Sequence, residues 1–249
     1  MKYILIALTL FACNTVAKKN ATRKISNEPL DTIKSVPQKI TAMPFLFETA
    51  FIKGTTQKGN IAPIKLYGVT IGKLKIVSGQ IVACDPLHID EYGIPFTQVF
   101  PTGEFPLQFS IAQTGEGDLI AFARINFSDE PVEKWELALQ KGQEPLAIGD
   151  EEIHGYGVDG GVGILMDKET IKDLDLNALT DMDTELYKEM DRHYHNTWRY
   201  TMYNAGKQNL ACFTTGLGDG KYATYIGFDA AGKPCRLLTD FGLFDWKKK

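Results

Sequence analysis

The stretch 105-FPLQFSI-111 and the nearby stretch 119-LIAFARINF-127 carry apolar residues at every second position. The first apolar face consists of Phe105, Leu107, Phe109 and Ile111, and the second of Leu119, Ala121, Ala123, Ile125 and Phe127. A period of two is typical of a β-strand with one buried face, because successive side chains point to opposite sides of the sheet. We therefore predict two strands that pack on a common core.

Two hairpins are predicted on either side of these strands. Residues 73–84 form an alternating segment interrupted by Ser78-Gly79, which we interpret as its turn. Residues 222–241 form a second hairpin, with Gly232 placed where its loop needs a left-handed residue. Strand patterns thus continue to the end of the chain.

Helical patterns are concentrated in one insertion between the strands. Asp167 is suited to cap a helix over residues 168–174. A second helix is predicted over residues 182–197, where four apolar residues recur at intervals of four: Leu186, Met190, Tyr194 and Trp198. The predicted fold is α+β, a predominantly antiparallel β-sheet domain, sandwich- or barrel-like, with one helical insertion.

The first thirteen residues, MKYILIALTLFAC, predict where the protein goes. Lys2 precedes an apolar run that ends at Cys13, which is typical of a bacterial lipoprotein export signal with Cys13 as the lipid acceptor. A plain secretory signal and a buried N-terminal element are the alternatives. We expect residues 14–43, with six Lys or Arg and two acids, to form a disordered tether to one domain at 44–246. The predicted location is the bacterial cell envelope, with the domain lipid-anchored to the membrane and facing the periplasm or the cell surface.

Charge and cysteine content narrow the classes of function. The net charge is −4 and the predicted domain has no basic cluster, so we expect no nucleic-acid partner. Cys84, Cys212 and Cys235 lie in apolar, strand-like runs and are interpreted as small buried residues. A disulfide between Cys212 and Cys235 is the alternative, because an exported protein meets an oxidising space.

The sequence motifs of known chemistry are incomplete. Residues 155–160 spell GxGxxG, but a strand pattern follows them instead of the helix that a dinucleotide-binding loop needs. We interpret them as a glycine-rich turn. Cys84 and His88 could pair as a nucleophile and base only if their side chains met, and a buried cysteine before an Asp-Pro turn is the preferred interpretation.

Four aspartates form the candidate site for a ligand or metal. Each lies at the end of an apolar strand or beside glycines: Asp85, Asp159, Asp219 and Asp240. Acids at strand ends can meet at one rim of a sheet, where they could bind a divalent cation or serve acid/base hydrolysis. The alternative is that they accept backbone hydrogen bonds in tight turns. No cofactor and no catalytic residue is predicted.

Several short blocks of the chain together resemble one protein family. The blocks are Ser78-Gly79 with 81-IVACDP-86, 135-WELAL-139, 155-GYGVDGG-161 with Met166-Asp167, 218-GDGKY-222, 225-YIGFD-229, Gly232 and 239-TDF-241. In this order, over about residues 70–244, they resemble the bacterial family called domain of unknown function 4241. The chain departs from that pattern at Val162 and Leu217. The resemblance implies a single β-rich domain and brings no established activity.

Two functions of different class follow from these observations. The first is a membrane-anchored binding or interaction module of the bacterial envelope. The alternative is an envelope hydrolase or metal-dependent enzyme that uses the aspartate cluster at a glycine-rich sheet rim. An enzyme of this kind needs a concave pocket on which at least two of the acids converge.

Overall fold

The structure is a computed structural model that describes residues 44–59, 62–150, 152–179 and 184–247. All of them belong to one compact unit of the chain, residues 37–249. The predicted signal with Cys13 and the predicted tether over 14–43 lie outside the described residues, so both stay predictions. Among the helices described, none has the length and apolar character needed to cross a membrane.

Short strands dominate the described chain and helices are few, which confirms the predicted fold class. The first strands are β1 (Thr55–Gln57), β2 (Ile64–Ile76), β3 (Ile81–Cys84), β4 (Gly103–Thr114), β5 (Gly117–Asn126), β6 (Lys134–Leu137) and β7 (Tyr156–Val158). The later strands are β8 (Val162–Asp167), β9 (Tyr194–His195), β10 (Trp198–Ala205), β11 (Gln208–Thr214), β12 (Gly220–Tyr222), β13 (Thr224–Phe228) and β14 (Pro234–Asp240). The α-helices are α1 (Leu46–Thr49), α2 (Ile89–Tyr92), α3 (Leu176–Leu179) and α4 (Glu185–Arg192), and Pro86–His88 and Lys168–Asp173 form 3₁₀ turns.

The strands form two antiparallel sheets and a short ribbon. A curled seven-stranded sheet has the order β1-β2-β4-β5-β14-β13-β6, and a five-stranded sheet has the order β3-β8-β11-β10-β9. Strands β7 and β12 pair only with each other. The main core contains Leu107 and Phe109 of the larger sheet together with Leu165 and Phe213 of the smaller one. The predicted apolar face of β4 is therefore confirmed.

The predicted apolar face of β5 is wrong at two positions, Leu119 and Ala121. Ile111 pairs with Ile120 and Ser110 pairs with Phe122, which leaves Ala121 as an extra residue in β5. An extra residue shifts the alternation of side chains between the two faces. Ile120 therefore joins the main core, while Ala121 packs in a second cluster on the outer face of the larger sheet.

The hairpin predicted over residues 73–84 is also wrong. Strands β2 and β3 do not pair, because β2 belongs to the seven-stranded sheet and β3 to the five-stranded sheet. The predicted turn is real, with Gly79 at φ +73°, but it carries the chain from one sheet to the other. Asp167 fixes the crossing, since its Oδ2 accepts hydrogen bonds from the amides of Val77 (2.9 Å) and Ser78 (2.8 Å).

Two other local predictions are confirmed. Asp167 caps the 3₁₀ turn Lys168–Asp173 by accepting a hydrogen bond from the Glu169 amide at 2.9 Å. Strands β13 and β14 form the predicted antiparallel hairpin, and Gly232 in its loop has a φ of +72°. Both features depend on neighbours close in sequence, so local pattern was sufficient to find them.

The helix predicted over residues 182–197 ends early. Helix α4 ends at Arg192, and its Leu186 and Met190 are buried against the five-stranded sheet as expected. Tyr194 instead lies in β9 and is 60% exposed. Trp198 begins β10 and reaches the main core from a strand. Asn196 adopts a left-handed φ of +59° between the two strands, which is incompatible with a continuing helix.

Helix α1 covers the outer face of the larger sheet. Phe47 is fully buried there, with its ring centroid 5.1 Å from that of Trp135 and 4.7 Å from that of Trp246. Glu48 of the same helix forms an ion pair with Arg124 at 3.0 Å. These contacts hold the start of the described domain firmly against the sheet.

Candidate functional site

The two-stranded ribbon brings together most of the glycines that the sequence singled out. We call residues 155–161 and 218–222 the glycine ribbon. Within it, Tyr156 pairs with Tyr222 and Gly157 pairs with Lys221. Tyr156, Val158 and Tyr222 point into the main core, whereas Gly157 and Lys221 are exposed. The ribbon therefore has one side packed on the core and one side open.

Two of the predicted aspartates hold the ribbon in place through backbone hydrogen bonds. Asp85 is 1% exposed, and its Oδ1 accepts from the Leu87 amide while its Oδ2 accepts from the Asp159 amide, both at 2.8 Å. Asp219 Oδ1 accepts from the Gly161 amide at 2.8 Å. Three of the four predicted site residues thus lie at the ribbon, where Asp85 and Asp219 make the turn-type bonds that the sequence left as an alternative.

The loop before β12 is fixed in the same way. Thr215 Oγ1 and the Tyr222 hydroxyl both donate to the Gly218 carbonyl, at 2.5 and 2.7 Å. Gly161 and Gly218 have φ values of +63° and +85°, which favour glycine. The ribbon is consequently a rigid frame in which carboxylates and hydroxyls bind main-chain groups.

Asp240 lies apart, at the end of β14. Its Oδ1 accepts from the Gly242 amide at 2.8 Å and its Oδ2 from the Trp246 indole at 2.6 Å. Burial raises the pKa of this carboxyl above its ordinary value, while the Trp246 and Gly242 hydrogen bonds act in the opposite direction. Asp240 and Asp219 both line a cleft of about 470 Å³ on the β12 side of the ribbon.

A larger groove of about 620 Å³ lies on the other side of the ribbon. One wall consists of residues 155–159 with Gly220 and Lys221, and the opposite wall carries His88, Tyr92 and Gln140. Tyr92 is 48% exposed, and its ring centroid lies 5.9 Å from that of His88. The groove therefore offers aromatic, amide and charged groups to a ligand.

Sequence reasoning missed the opposite wall and Lys221 as binding candidates. His88 precedes helix α2 and Tyr92 ends it, Gln140 follows β6, and Lys221 lies on β12, so the wall and the lysine come from three segments far apart in the chain. No spacing or repeat connects such residues. Tyr92 follows two acids, Asp90 and Glu91, and an aromatic residue in such a polar stretch was a local signal of an exposed ring.

The buried cysteines are poorly placed for chemistry. Cys84 is fully buried, and burial followed by the charge of Asp85 raises the pKa of its thiol well above the ordinary value. It is therefore poorly suited to act as a nucleophile with His88. Cys212 of β11 and Cys235 of β14 are also buried free thiols, and they belong to different sheets.

Side chains that could ligate a metal are not clustered in the described part of the chain. There, no three His, Cys, Asp or Glu side chains are grouped so that they could hold a metal ion. The predicted roles of Asp85, Asp159, Asp219 and Asp240 toward a ligand or a divalent cation stay predictions.

Comparison with known proteins gives one match. The family model described as "Protein of unknown function (DUF4241)" matches residues 74–239. No curated protein and no solved structure was found to match the chain. The matched range includes the whole glycine ribbon and all residues that line the groove.

Proposed function

The chain belongs to the DUF4241 family, and from that premise we propose that it is a lipid-anchored binding module of the bacterial cell envelope, with its ligand site in the groove beside the glycine ribbon. One observation carries the proposal. The groove combines a rigid frame with accessible polar and aromatic side chains, which is the usual composition of a preformed binding site.

Rigidity comes from hydrogen bonds to the main chain of the ribbon. Asp85 and Asp219 accept hydrogen bonds from the amides of Asp159 and Gly161, so the ribbon keeps its shape without using the Lys221 side chain. Within the described residues, the Lys221 ammonium has no ion-pair partner and remains accessible to a ligand. A charged group left free on a rigid element is well placed to select a ligand.

The envelope part of the proposal is supported by the sequence of residues 1–43. An apolar signal that ends at Cys13, followed by a polar and basic segment, is typical of a lipoprotein whose domain stands off the membrane. The membrane is then reached through the lipid, and the domain remains available to a ligand in the periplasm or at the cell surface.

The alternative is an envelope hydrolase or metal-dependent enzyme. Asp219 and Asp240 line the smaller cleft together, as two acids of such an enzyme would. However, both Asp240 oxygens already accept hydrogen bonds, and one Asp219 oxygen holds the Gly161 amide. Those bonds favour a structural role for the two acids, and for this reason we prefer binding to catalysis.

Anchoring is tested by labelling cells with a fatty-acid analogue. The wild-type chain should incorporate the label and sediment with membranes, whereas Cys13→Ala should do neither. Cys84→Ala is a matched control, because this cysteine is buried in the domain and should not affect labelling. Labelling that persists in Cys13→Ala would contradict the anchor.

Binding is tested with two sets of probes, short peptides of mixed charge and neutral oligosaccharides, by ligand-detected NMR. Lys221→Ala and Tyr92→Ala should each weaken binding of any probe that occupies the groove. Lys207→Ala is the control, since this exposed lysine lies outside the groove, between β10 and β11 of the five-stranded sheet. A probe that binds both groove variants as tightly as the wild type would show that the binding site lies elsewhere. Turnover of a probe that Asp219→Asn or Asp240→Asn abolishes, with its binding retained, would favour the enzyme.

A further inference from the structure

The fold does not require a glycine at position 157. An added Cβ would lie 2.4 Å from the Tyr222 carbonyl at Gly155, and Gly161 and Gly218 have left-handed φ values. At Gly157, by contrast, no heavy atom lies within 4 Å of an ideal Cβ position, and φ is outside the left-handed range. An ordinary side chain would therefore fit the folded protein here.

A glycine within a strand lowers the stability of the folded protein. It weakens the strand by about 0.5–1 kcal/mol relative to alanine, because the unfolded chain loses more conformational freedom. Where neither φ nor crowding explains such a glycine, the remaining reason is close approach of a ligand or of another backbone. Gly157 lies in the middle of β7 and on the wall of the groove.

Strand β7 also has an unpaired edge beside the groove. Among the described strands it pairs with β12 alone, so its other edge is free of strand partners. All of β7 lines the groove, whereas β12 contributes Gly220 and Lys221 to it and lies wholly along the smaller cleft. A free strand edge presents main-chain N–H and C=O groups that can pair with another extended chain.

We propose that β7 binds an extended peptide segment as an added strand in this groove. The inference rests on the proposed function, because it takes the groove as the ligand site and names the class of ligand. The three residues of β7 span about 10 Å, so three or four ligand residues would pair with it. Main-chain hydrogen bonds supply affinity in this mode of recognition, and pockets for alternate side chains supply specificity.

The groove's side chains indicate which peptide fits. Lys221 is directly opposite Gly157 in the ribbon, and Asp159 is exposed two residues beyond Gly157. One cation and one anion close together complement a peptide that carries both an acidic and a basic residue. Across the groove, His88 and Tyr92 offer aromatic rings to an apolar or aromatic side chain of the same peptide.

The test starts from a displayed library of random heptapeptides selected on the full chain in detergent, with the best sequences resynthesised for calorimetry. Wild type and Gly115→Val should bind them equally, and Gly157→Val should bind at least about tenfold more weakly. Gly115 is a matched control because it is also exposed, has no atom within 4 Å of an added Cβ, and lies in the β4–β5 turn. Methylating alternate peptide nitrogens should weaken binding to the wild type by a similar factor, since it removes donors to β7.

Each other outcome overturns the inference. Peptides that bind Gly157→Val as tightly as wild type, or that tolerate N-methylation in both registers, do not add a strand to β7. If no peptide binds while neutral oligosaccharides bind in a Lys221-dependent way, the groove remains the ligand site and the peptide class is wrong. If neither kind of probe binds, both the inference and the proposed function lose their basis.

Discussion

Helix α4 and the glycine ribbon are both short elements with one face buried in the domain, but the ribbon is in addition held through its backbone. Helix α4 is held by side chains, with Leu186 and Met190 buried and the Met190 sulfur 3.3 Å from that of Cys212. In the ribbon, the main-chain amides of Asp159 and Gly161 donate to the carboxylates of Asp85 and Asp219. Because main-chain bonds fix the ribbon loops, the ribbon's outward side is free for a ligand.

Truncating Met190 of helix α4 is expected to cause the largest loss of stability in either region, α4 or the glycine ribbon. Met190→Ala should lower the free energy of unfolding by about 2–5 kcal/mol, the usual cost of truncating a fully buried side chain. Urea denaturation measures it. Tyr194→Ala is the control, and because Tyr194 is 60% exposed it should change stability by no more than about 0.5 kcal/mol. A neutral Met190→Ala would show that α4 does not depend on its buried face.

Removing the buried carboxylate below the ribbon should have the next largest effect. Asp85→Ala leaves the amides of Leu87 and Asp159 without their acceptor and should cost about 1–3 kcal/mol. Amide hydrogen exchange should become faster at Asp159. Asp159→Asn is the control, because only the main chain of Asp159 takes part in the bond. Unchanged exchange in Asp85→Ala would contradict the backbone frame.

A smaller loss is expected at the exposed end of the same frame. Asp219→Asn weakens the acceptor for the Gly161 amide and should cost about 1 kcal/mol, with peptide binding in the groove retained. Thermal unfolding and calorimetry on the same sample measure both quantities. Unchanged stability together with lost binding would instead support a direct role for Asp219 in a ligand or cation site.

Sequence pattern was most informative where a residue's neighbours in space are also its neighbours in the chain. The β13–β14 hairpin and the Asp167 cap are cases of this kind. The four-residue spacing up to Trp198 failed because pairing of β10 with β11 and a left-handed Asn196 outweighed the helical pattern. Local periodicity carries no information on such tertiary pairing.

The candidate site, too, could be predicted from the sequence only in part. The glycines and three aspartates of the ribbon were found from composition, because glycine beside aspartate is visible in the sequence. The partner of Asp85 is 74 residues away, and the wall formed by His88, Tyr92 and Gln140 is defined only by how the two sheets pack. Which backbone edge remains unpaired is likewise a property of the assembled sheets.

If Gly157 serves a ligand and not the fold, the stability of Gly157→Ala in the absence of any ligand should show it most directly. The free energy of unfolding in urea should rise by about 0.5–1 kcal/mol, because alanine fits the site and restricts the unfolded chain. Gly155→Ala should be destabilising in the same assay, since its Cβ would meet the Tyr222 carbonyl. A loss of more than about 1 kcal/mol in Gly157→Ala would show that the fold needs this glycine and would contradict the claim.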